Sequence, residues 1–110
     1  MKLSAKDKIK EARLYATYGL KLEAWKNLHN WQSGKCAICK KPAKILNVDH
    51  RHVKNYKKLT PVQKVLEVRG LLCLRCNKFT LGGLEIHKNA REILESMVEY
   101  ARIYPLKGDK

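Results

Sequence analysis

The residues able to do chemistry are gathered in one interval of the chain. Cys36 and Cys39 form a Cys-x-x-Cys pair, Cys73 and Cys76 form a second, and Asp49, His50 and His52 lie between them with Asn77 directly after the last cysteine. Thiolates two residues apart on a tight turn both reach a tetrahedral ion at about 2.3 Å, so the two pairs predict one structural Zn²⁺. Four sulfur ligands close the coordination sphere, which makes the zinc a staple and leaves any reaction to the neighbouring groups.

Those neighbours suit phosphodiester hydrolysis, which needs a group to activate water and a cation to stabilise charge on the phosphorus oxygens. The imidazole of His50 is the expected general base. The carboxylate of Asp49 and the amide oxygen of Asn77 are hard ligands for one catalytic Mg²⁺ or Mn²⁺. His52 shares the His50 face if the chain is extended there, and would assist at the phosphate. Arg69 and Arg75 are candidate phosphate clamps, because a guanidinium makes paired contacts with phosphate oxygens. Adjacent residues of a regular strand face opposite sides, so Asp49 and His50 are expected where a strand ends and bends.

The chain has 110 residues and a formal charge of +14, enough for one small domain of the size that a structural metal helps to stabilise. Residues 36–83 hold eleven Lys and Arg against two acids, whereas residues 84–110 hold five against five. A positive field centred on the cysteine segment points to nucleic acid as partner. No apolar run approaches the roughly 20 residues that cross a bilayer, so no membrane role is expected. The first residues lack the apolar core of a secretory signal, and paired free thiols fit a reducing cytoplasm.

Positioning falls to helices and a hairpin. A basic N-terminal region over 1–33 is predicted to form two helices, 4–18 with Ser4 as cap and Gly19 as stop, then 22–31 with Leu22, Trp25 and Leu28 on one face. The core over 34–83 is predicted as a strand through Ile45, Leu46 and Val48, a long basic loop over 51–61, and a return strand from Val65 to Leu72 with Gly70 as bend or bulge. Arg51, Lys54, Lys57 and Lys58 make that loop the expected DNA-facing element. A helix begins after Cys73, and Gly82-Gly83 is expected to break it. Residues 84–105 read as a C-terminal amphipathic helix, a packing element or a subunit contact, so monomer and homodimer both remain open.

With Tyr18-Gly19-Leu20, the CAIC knuckle, VDHRH and VRGLLCLRCN on the page, the chain resembles the recombination endonuclease VII family, phage-type enzymes of the His-Me finger (ββα-metal, HNH-like) nuclease superfamily. The likeness spans roughly residues 15–104. It implies a small, mainly helical α+β fold with a zinc-stapled ββα-metal core flanked by N- and C-terminal helices. It also implies Asp49 and Asn77 on the catalytic metal, His50 activating water, His52 at the phosphate, and products with 5′-phosphate and 3′-hydroxyl ends. Where the best-known member of that family has an acidic residue shortly after the asparagine, this chain has Lys78, Phe79 and Thr80. A DNA endonuclease of phage or bacterial origin is therefore expected, with nicking and cleavage of branched DNA such as a four-way junction both open. The alternative is a non-catalytic zinc-ribbon module that binds nucleic acid without cutting it.

Overall fold

The computed structural model describes residues 3–109; the ends of the expected domain, residues 1, 2 and 110, lie outside the described residues. Two helices open the chain, α1 (Ala5–Tyr18) and α2 (Leu22–Trp31). Ser4 caps α1 by accepting from the Asp7 N–H, and Gly19 ends it in the left-handed region at φ 72°. Both expected helices therefore stand within a residue of their predicted limits. The Leu14, Leu20 and Leu22 side chains are buried beneath them.

The sheet is a two-stranded antiparallel hairpin of β1 (Asn47–His50) and β2 (Val68–Leu72). Both strands are shorter than predicted. Ile45 is exposed and lies ahead of β1. Val65 belongs to a short helix, α3 (Pro61–Val65), because Thr60 and Gln63 form a reciprocal capping box around Pro61 at the first helical position. Leu66, expected in the return strand, is exposed between α3 and β2. The loop before α3 includes a 3₁₀ turn, Tyr56–Lys58.

Just past α2, the Gln32 side chain ties that helix to the hairpin. Gln32 accepts from the Leu71 N–H at 2.9 Å and donates to the Leu71 carbonyl at 2.9 Å, so its amide completes the backbone pairing of a residue that is fully buried. Gly70 makes room, since an added Cβ would stand 3.3 Å from Gln32 Oε1.

After Cys73 the chain is helical over 74–84 (α4), and its middle, Cys76–Leu81, is wound as a π-helix. Gly82-Gly83 does not break it, contrary to expectation. Gly82 is right-handed helical at φ −59°, and an added Cβ would stand 3.1 Å from the Asn77 carbonyl oxygen five residues back. The glycine serves the wide turn by being small.

The last helix, α5 (Ala90–Ile103), starts six residues later than predicted and buries none of its residues. Leu94, Met97, Val98, Tyr100 and Ile103 remain exposed. The sequence pattern for an amphipathic helix holds, but its apolar stripe has no partner among the described residues. A radius of gyration of 16.6 Å exceeds the about 13 Å of a compact chain of this length. The core lies elsewhere, in Leu14, Leu20, Leu22, Leu46, Val48, Leu71 and Leu72 around the buried Cys36 and Cys76.

Candidate active site

Two turns bring the cysteines together. In the first, the Cys36 N–H donates to the Lys41 carbonyl, the Lys40 N–H returns to the Cys36 carbonyl, and Lys40 takes φ 64° to close the turn. The second is the start of α4, reached directly from β2. The Ala37 N–H donates to the Leu71 carbonyl, which fixes the first turn against the strand that leads into the second.

The four sulfurs lie within 4.8 Å of one another, with Cys39 and Cys73 Sγ 3.9 Å apart. Ligands at about 2.3 Å around a tetrahedral centre stand roughly 3.8 Å apart, so the four-cysteine cluster could hold a zinc ion with little rearrangement. The thiols are unequal. Burial pushes Cys36 up, but the backbone N–H groups of Cys73, Cys39 and Ile38 and the Cys39 thiol outweigh it and bring Cys36 down to about 6. Cys76 is pushed up to about 12 by burial and by its contacts with the other three thiols. A zinc ion bound there would take the sulfurs as thiolates and release their protons.

The hairpin carries the next group of residues. Asn47, Val48 and Asp49 stand opposite Leu72, Leu71 and Gly70, but His50 stands opposite Val68. Arg69 is therefore an extra residue in the ladder, a bulge one position from the predicted Gly70. The bulged Arg69 reaches Asp49, donating from Nε to Oδ2 at 2.7 Å and from Nη2 to Oδ1 at 2.9 Å. Its other edge holds Glu85, just beyond α4, at 2.9 and 3.0 Å. The Asp49 side chain is 6% exposed, against about a third for Arg69 and Glu85. The Glu85 carboxyl is held below its usual range first by the Arg69 hydrogen bonds, against burial, and then by the charges of Arg69 and His52. Arg69 is raised in turn by Glu85 and Asp49.

Arg69, expected at a phosphate, thus lies between two carboxylates, and Glu85, which no sequence motif singled out, joins Asp49 through it. The buried Asp49 carboxylate already selects positive charge. In this structure the Arg69 guanidinium supplies that charge. Asn77 follows Cys76 into the π-helix and is half-buried, its N–H donating to the Cys73 carbonyl at 2.9 Å.

His50 faces a different space, a cleft of about 760 Å³ lined by Tyr18, His52, Asn55, Tyr56, Lys57, Lys58 and Lys64 as well as residues of α1. Asp49 instead lines a smaller cleft of about 220 Å³ with Arg69 and Leu81. The His50 ring stacks on Tyr56, centroids 4.1 Å apart and planes 7° from parallel, and His52 lies 5.0 Å away. His50 Nδ1 is 3.2 Å from the Arg51 carbonyl. With Nδ1 protonated that contact is a hydrogen bond, which leaves Nε2 free to accept a proton.

Tyr56 is a second residue that sequence reasoning missed. Its hydroxyl donates to the Thr17 carbonyl at 2.7 Å, and Lys64 Nζ donates to the Ala16 carbonyl at 2.9 Å, so the loop before β2 is tied to the end of α1. Burial, with smaller contributions from Tyr18 and Glu67, raises the Tyr56 hydroxyl and keeps it a donor. A tyrosine among lysines reads as loop, and only its folded contacts with α1 and the His50 ring assign it to the His50 wall. Lys57 and Lys58 line the same cleft, while Lys54 and Arg75 are exposed outside it. Arg51 makes a two-armed pair with Glu67 at 2.7 and 3.2 Å, which raises Arg51 and lowers Glu67.

The model of the family described as recombination endonuclease VII matches residues 11–103. The Gene 59 protein of Mycobacterium phage L5 is 37% identical over 111 residues, covering 91% of this chain and 61% of that protein. The Gene 59 protein of Mycobacterium phage D29 is 36% identical over 114 residues with the same coverage. The chain thus spans about three fifths of the length of these curated relatives. No solved structure matches it.

Proposed function

The chain belongs to the recombination endonuclease VII family, and from that premise we propose that it is a metal-dependent DNA endonuclease with His50 as general base. The observation that carries the reading is the His50 imidazole on the wall of a cleft bounded by Lys57, Lys58 and Lys64, one residue from a buried carboxylate. A phosphodiester held by those lysines would present its phosphorus to a water beside His50. The imidazole would take the water proton as the oxygen attacks, the bond from phosphorus to the 3′-oxygen would break, and the ends would be 5′-phosphate and 3′-hydroxyl. His52 would contact the phosphate or the leaving oxygen. A Mg²⁺ or Mn²⁺ held by Asp49 and Asn77 would stabilise negative charge on the phosphate and the leaving group.

In the same reading Cys36, Cys39, Cys73 and Cys76 hold one Zn²⁺ that fixes α4 to the hairpin. Lys54, Lys57, Lys58 and Arg75 supply positive charge around the strand, whereas the charges of Arg51 and Arg69 are already met by Glu67, Asp49 and Glu85. The reducing cytoplasm of a bacterial cell is the compartment that suits the thiolates.

The test is cleavage of supercoiled plasmid and of a synthetic four-way junction by zinc-loaded protein, with Mg²⁺, Mn²⁺ or no added divalent cation, against His50→Ala. The expected result is metal-dependent cutting that falls by roughly 10²- to 10⁴-fold in the variant while DNA binding persists. The preferred substrate separates nicking from junction cleavage. Binding without cutting by the folded parent would replace the nuclease with a non-catalytic zinc-ribbon module.

A further inference from the structure

On the far side of Tyr18 lies a second cleft, about 320 Å³, that no motif indicated. It is lined by Lys10, Arg13, Leu14 and Tyr18 of α1, Trp25 of α2, and residues 44–48 leading into β1. Its cations are Lys10, Arg13 and Lys44, and no carboxylate lines it. Among the described residues Arg51, Arg69 and Arg102 each pair with a carboxylate, whereas none of the three cations here takes part in an ion pair. Buried Leu14, Leu46 and Val48 form its apolar floor.

Two features indicate the ligand. Lys10 Nζ is held 3.5 Å over the Trp25 ring, and His29 stacks on that ring with centroids 5.1 Å apart. The indole is thus already engaged by an ammonium and an imidazole, and the three unpaired cations around it suit phosphates. Tyr18 also lines the His50 cleft, its ring 5.9 Å from that of His50. Lys10 and Tyr18 are eight residues apart on one helix, about 12 Å along its axis. That is roughly three to four nucleotides at a rise of 3.4 Å per step of one strand.

We propose that the Lys10, Arg13 and Lys44 cleft is a second phosphate-backbone site for DNA, holding the strand three to four nucleotides from the phosphate at His50. This proposal rests on the endonuclease reading for the place of the strand. The contact itself is a matter of binding.

The experiment measures duplex affinity against salt for the zinc-loaded full chain, with no added divalent cation. Each lost phosphate contact lowers the magnitude of the slope of log affinity on log salt by about 0.9, so a Lys10→Ala, Arg13→Ala, Lys44→Ala triple variant should lose about two to three units. A charge-matched triple variant, Lys88→Ala, Arg91→Ala, Lys107→Ala, should leave the slope unchanged. Lys44→Glu, which leaves α1 intact, tests the same cleft should the first triple variant fail to fold, and should lower the slope by at least about one unit. In a Trp31→Phe background the remaining indole, Trp25, should change its emission when duplex binds. A slope that is unaltered by the cleft variants, or altered equally by the control, overturns the proposal, as does silent Trp25 emission on binding. A parent that binds in the expected way but never cuts refutes the nuclease reading and leaves the site standing.

Discussion

Replacing Arg69 by methionine keeps much of the side-chain length and removes both arms that reach Asp49. Among the described residues Arg69 is the sole hydrogen-bond donor to the Asp49 carboxylate, whose side chain is 6% exposed. Breaking a buried pair from one side costs about 3–5 kcal/mol, because the remaining charge is left without a partner. Arg69 is 32% exposed, so water can enter from its side, and the lower end of that range, about 3 kcal/mol, applies. For 110 residues the unfolding entropy is roughly 0.23 kcal/mol per degree, which makes the loss about 13 °C in Tm. Glu85→Gln removes only the more exposed arm and should cost about 1 kcal/mol or less. The double variant Asp49→Asn, Arg69→Met should recover much of the loss, because the stranded charge is gone. Under the proposed function the Arg69→Met protein gains more from metal than the parent, since the freed carboxylate can bind Mg²⁺ without competition. At one hundred times the dissociation constant that binding adds about 2.7 kcal/mol. Thermal unfolding of the four proteins, with and without Mg²⁺ and with zinc present throughout, measures all of this. A loss below about 1 kcal/mol for Arg69→Met would refute the reasoning, as it would show Asp49 solvated. A full loss that Mg²⁺ does not reduce would keep the ion pair and remove Asp49 from the metal site.

Cys76→Ser should abolish the cooperative thermal transition, and a zinc chelator should do the same to the parent, because zinc binding of about 10–16 kcal/mol matches or exceeds the stability of a whole domain; a sharp transition in both would reduce the cysteine cluster to ordinary core. Glu85 and Glu67 are held below their ordinary 4.5 by Arg69 and Arg51, so the folded chain binds fewer protons than the unfolded one in that range. Their contribution is present above the unfolded value and is lost as pH falls through the folded one. A Glu67→Gln, Glu85→Gln protein should accordingly show a shallower acid limb in stability against pH, and an unchanged limb would remove both pairs from the balance. Under the proposed function, Tyr56→Leu removes the ring on which His50 rests and should lower kcat by roughly 10-fold or more with DNA affinity unchanged, whereas Tyr56→Phe, which keeps the ring, should retain most turnover. Equal loss in the two variants would assign the effect to the Thr17 hydrogen bond instead.

The sequence was most informative where chemistry and local signals coincide. Ser4 and Gly19 mark the ends of α1 by rules that need no tertiary contact, and cysteine spacing alone gathers four sulfurs within 4.8 Å. The short strands were harder to limit, because Val65 and Leu66 suit a strand as well as a helix and the Thr60, Pro61, Gln63 capping box decided for helix. Gly82 was misread by the same logic. Glycine in a sequence signals a break, but at φ −59° its use here is space for the Asn77 carbonyl, which only a folded π turn reveals. Glu85 and Tyr56 carried no legible signal, since each acts across at least 16 residues of chain, on Arg69 and on Thr17 respectively.

The division of charge follows from the same geometry. A two-stranded hairpin has two faces, and here the bulge at Arg69 separates their tasks. On the Asp49 side acids outnumber the one arginine that joins them, so a cation is held close to neutral balance. On the His50 side Lys57, Lys58 and Lys64 surround two imidazoles, and the field favours an anion. The proposed function requires both surfaces within reach of one phosphate, and a strand of four residues is short enough for its end to offer both. The cysteine cluster lies where β2 becomes α4, so a metal there would fix the strand behind Asp49 and the helix that carries Asn77 in one step. Cys36 and Cys76 also belong to the leucine core, so loss of that metal would separate the two faces and open the core together. Under the proposed function, cleavage and helix content should therefore be lost at the same chelator concentration, and helix content that outlasts cleavage would show that the leucine core folds without the cluster.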